Sequence, residues 1–161
     1  MPYIYASKNS SIQIGPNCVI INNTKYNRIG INKKTSICAE HNGQIMIGKN
    51  VGMSGVSICS RLRIVIGDDV KIGANTFIYD SDFHSLSYQD RLAELVEGTS
   101  INEKKMPIVI EDNAFIGANS IILKGVTIGQ NSIIAAGSVV TKSVPTNEIW
   151  GGNPASFIKK L

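Results

Sequence analysis

From Ile110 to Pro145 the chain reads IEDNAF-IGANSI-ILKGVT-IGQNSI-IAAGSV-VTKSVP, six hexads in a row, each opening on Ile or Val. The fifth position holds Ala114, Ser120, Val126, Ser132, Ser138 and Val144, all small or β-branched. The fourth holds Asn113, Asn119, Gly125, Asn131 and Gly137, with Ser143 as the exception. Asn and Gly enter the positive-φ region at little cost, so each hexad predicts a short strand followed by a corner. Three such sides close a triangular coil of 18 residues. Stacked coils pair strand on strand about 4.8 Å apart, and the first-position aliphatics then form an internal column. An amphipathic helix needs apolar residues at i, i+3, i+4 and i+7, a pattern never sustained here.

Outward from this block the same register covers 66–83 (IGDDVK, IGANTF, IYDSDF) and returns at Ile47 and Met53, then more loosely at Ile14 and Ile20. The step from Met53 to Ile66 is thirteen, which predicts one inserted residue. Residues 22–44 are irregular, and no coils are placed there. The column breaks over 85–107, SLSYQDRLAELVEGTSINEKKMP, which predicts an excursion out of the solenoid. Within it Leu92, Leu95 and Val96 stand at helical spacing before Gly98, which predicts a short helix. The tail, 146–161, predicts a Gly-Gly-Asn-Pro turn and a short C-terminal helix from about Ala155 that covers the last coil. The whole of 1–161 therefore reads as one all-β domain.

Bulk composition excludes several function classes. Charged residues are 17% and aromatics 6% of the chain, so Ile and Val fill the core. The net charge of +4 suits a ligand with a few phosphates, but basic residues cluster only as Lys-Lys pairs, which argues against nucleic acid. Cys18, Cys38 and Cys59 are odd in number with no CxxC, suggesting neither a disulfide framework nor a zinc site. The N-terminus lacks a secretory pattern, and no apolar run approaches the roughly 18 residues of a bilayer span. The expected location is the cytoplasm.

The excursion starts at an unusual place. Ile66, Ile72 and Ile78 step by six, and the next rung is His84, in DSDFH. A buried imidazole without a partner is costly, so His84 reads as the exit residue displayed at the loop mouth. An imidazole there suits general-base chemistry at neutral pH. Asp80 and Asp82 share its side in an extended segment, so either can orient the ring or bind substrate hydroxyls, or both can be solvated turn residues. His41, in a His-Asn-Gly turn, reads as a surface histidine beside a corner, with a place on the acceptor site as the alternative.

The hexads, with PIVIEDNAFIGANSIILKGVTIGQNSIIAAGSVVTKSVP, the ending GGNPASFIKK and DSDFH, resemble the hexapeptide-repeat acyltransferases, and specifically the sugar O-acetyltransferases that include galactoside, maltose and polysaccharide-modifying members. That resemblance spans essentially the whole chain and implies a left-handed parallel β-helix, a handedness the spacing cannot give, since crossovers are normally right-handed. It implies His84 as catalytic base, and acetyl-CoA in a groove between neighbouring solenoids of a homotrimer, so that trimerisation is obligatory for activity. Carried over by motif, Ala74, Phe115, Ala118, Ala136, Thr141, Lys142 and Lys159 match coenzyme contacts, and Lys142 and Lys159 can neutralise its phosphates. A coil amide is expected to stabilise the tetrahedral oxyanion.

Two departures stand out. Phe115 replaces a tryptophan common in the family. In GMSGVSICSRLR (52–63) the Asn and Asp that bind galactoside acceptors are missing, which leaves Ser54 or Arg61 to touch the acceptor. The acceptor is a sugar or glycan whose identity the sequence does not reveal. Rival readings are N-acetylation of an amino sugar or sugar nucleotide, and a non-catalytic binding solenoid. The zinc-dependent β-helical carbonic anhydrases need three histidines, and only His41 and His84 exist.

Overall fold

The computed structural model describes residues 1–161 and consists of eighteen strands, β1 to β18 in chain order, and one helix. The chain winds as a left-handed parallel β-helix with three flat faces. The first face stacks β1 (Tyr3–Ala6), β4 (Ser36–Ala39), β7 (Ser57–Ser60), β10 (Phe77–Tyr79), β13 (Ile121–Ile122) and β16 (Val139–Val140). The second stacks β2 (Ser11–Ile14), β5 (Gln44–Ile47), β8 (Arg63–Ile66), β11 (Ile108–Ile110) and β14 (Thr127–Ile128). The third stacks β3 (Val19–Ile21), β6 (Gly52–Ser54), β9 (Lys71–Ile72), β12 (Phe115–Ile116) and β15 (Ile133–Ile134), and ends in β17 (Glu148–Gly152) and β18 (Ala155–Lys160).

The hexad register is the pairing register. Ile110 lies on Ile128, Ile116 on Ile134 and Ile122 on Val140, each pair 18 residues apart. The inward columns are dry: Ile37, Ile78, Ile110, Ile116, Ile122, Ile128 and Ile134 are fully buried. The fourth-position residues do turn the corners with positive φ, including Asn113, Asn119, Gly125, Asn131 and Gly137. Ser143 is not among them. Fifth-position serines fill the corners from inside and bond the backbone, as Ser120 Oγ does to Gly117 O at 2.8 Å. The inserted residue between Met53 and Ile66 is also present. Ile58 takes the first-face rung five residues after Met53, and a wide corner at 60–62 brings Ile66 eight residues later.

The irregular region is narrower than 22–44. Strands β4 and β5 are regular, and only 22–35 leaves the coil. Tyr3 therefore pairs with Ser36, a step of 33 instead of 18. That insertion is tied down at its roots, where Asn22 Oδ1 accepts from Thr35 N and Asn75 Oδ1 accepts from Asn32 N. The three cysteines are free and half-buried. Burial, with Glu40 next, pushes the Cys59 thiol up to about 12, which makes it inert.

The C-terminal helix does not form. After the turn at 153–154, β18 pairs antiparallel with β17. Strand β17 presents an open edge where the solenoid stops, and the Ser-Phe-Ile run satisfies that edge better than a short helix could. The expected helix does exist in the excursion, as α1 (Tyr88–Glu97). Ser87 Oγ caps its N-terminus by accepting from Asp90 N, and Gly98 ends it with φ 69°. No helix of the chain is long and apolar enough to cross a membrane.

Candidate functional site

His84 stands five residues beyond the end of β10, where the chain leaves the edge between the first and second faces. Its Nδ1 lies 2.7 Å from Glu94 Oε2 on α1. The other oxygen, Oε1, accepts from Ser85 N at 3.1 Å and Ile101 N at 3.0 Å, so the carboxylate is fixed by both ends of the excursion. Glu94 is 8% exposed while the His84 side chain is 68% exposed. The hydrogen bond with His84, then that from Ile101 N, hold the Glu94 carboxyl below the usual carboxylate range. An ionised Glu94 keeps the proton of the neutral imidazole on Nδ1, where it donates to the carboxylate. The lone pair is then on Nε2, the tautomer a general base needs.

A cavity of about 770 Å³ opens beside the ring, lined among others by His41, Arg61, Tyr88, Arg91, Leu92 and Leu95. Arg61 enters it from the wide corner after β7. Its Nη1 donates to Glu103 Oε2 at 2.7 Å and to Ser100 Oγ at 3.1 Å, so the guanidinium straps the excursion to the solenoid. Burial raises the Glu103 pKa, but hydrogen bonds from Lys105, Arg61 and Ser81 together bring it below the ordinary value. His41 is on the cavity wall, the less expected of its two readings.

The two aspartates part company. Asp80 is fully buried, with Oδ2 accepting from Ser60 Oγ at 2.7 Å and Leu62 N at 3.0 Å, and Oδ1 from Arg61 N at 2.8 Å. It builds the wide corner and neither orients His84 nor offers an oxygen to an acceptor. Asp82 Oδ1 pairs with Lys124 Nζ at 2.5 Å, while its Oδ2 is buried and unpartnered. The carboxylate that holds the His84 ring is Glu94, which sequence reading missed. Ser54 lies on the third face, in a groove of about 220 Å³ with Gly52, Lys71, Gly73 and Phe115, away from the His84 cavity.

The residues expected at the coenzyme are split. Thr141 and Lys142 follow β16 on the edge from which His84 departs, both exposed. Ala74, Ala118 and Ala136 stack on the opposite edge of the first face, where Ala74 is buried and Ala136 exposed. The N–H groups of Ala118 and Ala136 have no partner in the chain. Phe115 projects outward from the third face at 47% exposure, and Lys159 sits exposed on β18 beside Ile149. At Gly117 a Cβ would meet Ala136 N at 2.4 Å, so coil spacing alone demands glycine. No group of three or more His, Cys, Asp or Glu side chains converges as for a metal ion.

Residues 64–80 and 107–142 match the family model described as the hexapeptide repeat of succinyl-transferase. A hexapeptide-repeat acetyltransferase of Vibrio cholerae, solved in complex with acetyl coenzyme A, is 30% identical. It superposes with a TM-score of 0.59 over 98% of this chain and 70% of that one. The chain belongs to the hexapeptide-repeat acetyltransferases. Among other members, a maltose O-acetyltransferase of Clostridium difficile is 29% identical, with a TM-score of 0.57 over 98% of this chain and 66% of that one. A candidate acetyltransferase of Saccharomyces cerevisiae is 38% identical over 76% of this chain. A 2,3,4,5-tetrahydropyridine-2,6-dicarboxylate N-acetyltransferase of Clostridium perfringens is 46% identical over 42% of it. The chain spans 59% and 28% of the lengths of these last two.

Proposed function

We propose that the protein transfers the acetyl group of acetyl-CoA to a hydroxyl of a sugar or glycan acceptor, with His84 as general base. The observation that carries this reading is the 2.7 Å contact of His84 Nδ1 with Glu94 at the mouth of the cavity. Nε2 takes the acceptor hydroxyl proton as that oxygen forms a bond to the thioester carbonyl carbon. The tetrahedral oxyanion then collapses, the carbon–sulfur bond breaks, and the proton on Nε2 passes to the departing thiolate. The products are the acetyl ester and free coenzyme thiol. The unpartnered amides of Ala118 and Ala136 are suited to hold the oxyanion or the pantetheine arm.

In this reading Arg61 and Asp82 border the acceptor, whereas Ser54, in the third-face groove away from the His84 cavity, is no longer assigned to it. Ala74, Phe115, Thr141, Lys142 and Lys159 line the coenzyme groove. Asp80 is reassigned to the corner. The enzyme acts as a homotrimer in the cytoplasm. His84 and the corner alanines occupy opposite edges of one face, so a groove along the alanines of one subunit can serve the histidine of the next. The exposed face of α1, with Leu95 82% and Val96 89% exposed, gives a neighbouring copy an apolar surface to cover. A second reading makes the acceptor an amine, of an amino sugar or sugar nucleotide; the similarity to an N-acetyltransferase supports the amine and not the sugar.

The test is calorimetry with acetyl-CoA on wild type and His84→Ala, followed by thiol release with hydroxyl and amine acceptors. Equal binding by both proteins, with release lost in His84→Ala, supports the proposal. Absence of binding by an assembled wild type removes it, and release only with amines selects the second reading.

A further inference from the structure

Helix α1 brings one stripe of side chains to the His84 cavity. Tyr88, Arg91, Leu92 and Leu95 stand at i, i+3, i+4 and i+7, and all four line it. Arg91 is the charged member of that stripe. Its Nη1 donates to Ser85 O at 2.8 Å, and Ser85 follows His84 directly in the chain. The N–H of Ser85 donates to Glu94 Oε1, so α1 grips this residue at both its N–H and its carbonyl. The Arg91 guanidinium is thereby tethered one residue from the base.

Arg91 is also the cation that the fold leaves uncommitted there. A guanidinium has five N–H donors, and the tether to Ser85 uses one of them. No carboxylate pairs with it. Asp90, its neighbour in sequence, accepts instead from Ser85 Oγ and Asn102 Nδ2. The other charges on the wall are engaged. Arg61 pairs with Glu103 at 2.7 Å and Glu40 at 3.7 Å. Glu94, the one acid of the lining, is held by His84 and two amides. A molecule entering this cavity therefore meets one free cation and no free carboxylate.

Two oxygens of a carboxylate or phosphate match the open edge of a guanidinium fork, and such charge-assisted bonds are the strong ones. Beside the fork the exposed Tyr88 ring gives the C–H face of a sugar a flat surface. The phosphates of the coenzyme lie at the far end of the pantetheine arm from the thioester. A cation tethered beside the base therefore faces the acceptor and not those phosphates.

We propose that Arg91 selects an acidic acceptor, a sugar carrying a carboxylate or phosphate group, by pairing with that group in the His84 cavity. The inference deepens the proposed acetyl transfer and rests on it for the place of the acceptor.

The experiment compares D-glucuronate, D-galacturonate and D-glucose 6-phosphate with D-glucose and D-galactose. Binding is followed by calorimetry and by the Arg91 Nε–H and Ser85 N–H signals in nuclear magnetic resonance, without turnover. Thiol release from acetyl-CoA is then measured with the same sugars. The proteins are wild type, Arg91→Gln and Arg91→Lys, with melting curves as the check on folding. At least one acidic sugar should bind wild type on the order of 10- to 100-fold more tightly than its neutral parent, the span of a charged hydrogen bond. The ratio of their KM values should move likewise. Whether the uronates or the sugar phosphate gain identifies the group as carboxylate or phosphate. Arg91→Gln should bring the ratio close to one, and Arg91→Lys should keep part of it. A wild-type ratio near one, or a ratio that survives in Arg91→Gln, overturns the proposal. So does an equal loss for acidic and neutral sugars, which would make Arg91 only a tether for Ser85. Weakened acetyl-CoA binding with an unchanged sugar ratio overturns it in favour of a coenzyme contact. Arg91-dependent binding of acidic sugars with no thiol release from any of them upholds the anion site and removes the acetyl transfer instead.

Discussion

His84 and Glu94 act as one unit, because the carboxylate selects which ring nitrogen bears the proton. Replacing His84 by Ala should lower kcat by about 10²–10⁴-fold, the span of general-base assistance, with acetyl-CoA affinity unchanged. Glu94→Ala frees the ring to rotate and should cost on the order of 10²-fold in kcat, the penalty of a misplaced reacting group. A Glu94→Ala variant with wild-type kcat would show that the ring needs no orienting partner. His84 was legible in the sequence because it stands where an aliphatic rung is due, and only an exit from the coil explains that. Glu94 was not, since it lies ten residues on, in a segment where no period constrains what meets what. Asp80 misled for the opposite reason. Proximity in sequence to a histidine suggested chemistry, whereas the corner at 60–62 engages both of its oxygens and buries them.

The excursion between β10 and β11 is an element held by two carboxylates rather than by a core. Glu94 ties Ser85 N and Ile101 N together, and its folded pKa is depressed. The tie is therefore complete above the ordinary carboxyl value of 4.5 and weakens as pH falls through the lower folded value. Protection factors of the Ser85 and Ile101 amides, corrected for the intrinsic pH dependence of exchange, should fall below that pH ahead of those of the coil amides; a uniform fall would contradict the assignment. Glu103 holds Arg61, whose side chain is 14% exposed against 6% for Glu103. Glu103→Ala leaves a nearly buried guanidinium without its main partner, and about 3 kcal/mol of destabilisation is expected in denaturant melts. A change below about 1 kcal/mol, the usual worth of a surface pair, would mean that the pair is effectively solvated. The helix within the excursion was readable from local signals, the spacing of Leu92, Leu95 and Val96 and Gly98 as stop. The C-terminal hairpin was not, because the open edge of β17 that recruits Ala155–Lys160 is a property of the stacked coils and not of the tail.

At the scale of the molecule, a six-residue period determines the columns, the corners and the 18-residue coil, so the solenoid was legible almost throughout. What the period cannot express is where two edges of one face come to lie relative to another copy. Thr141 and Lys142 share the edge of His84, while Ala118 and Ala136 occupy the other. If the proposed trimer is correct, a working site combines the histidine of one subunit with the alanine corner of the next, through a head-to-tail interface that closes into a ring. Two inactive variants can then complement each other. His84→Ala keeps the corner, and Ala118→Trp keeps the histidine while filling the groove with an indole. Unfolded together and refolded at equal amounts, they form trimers in which each site draws its two halves independently, so roughly a quarter of sites should be intact. Activity near that fraction of wild type, absent when the two are simply mixed as preformed assemblies, is the expected outcome. No recovery after co-refolding, with mixed trimers demonstrated by mass, would mean that His84 and its groove belong to the same chain and that the shared-site trimer is wrong.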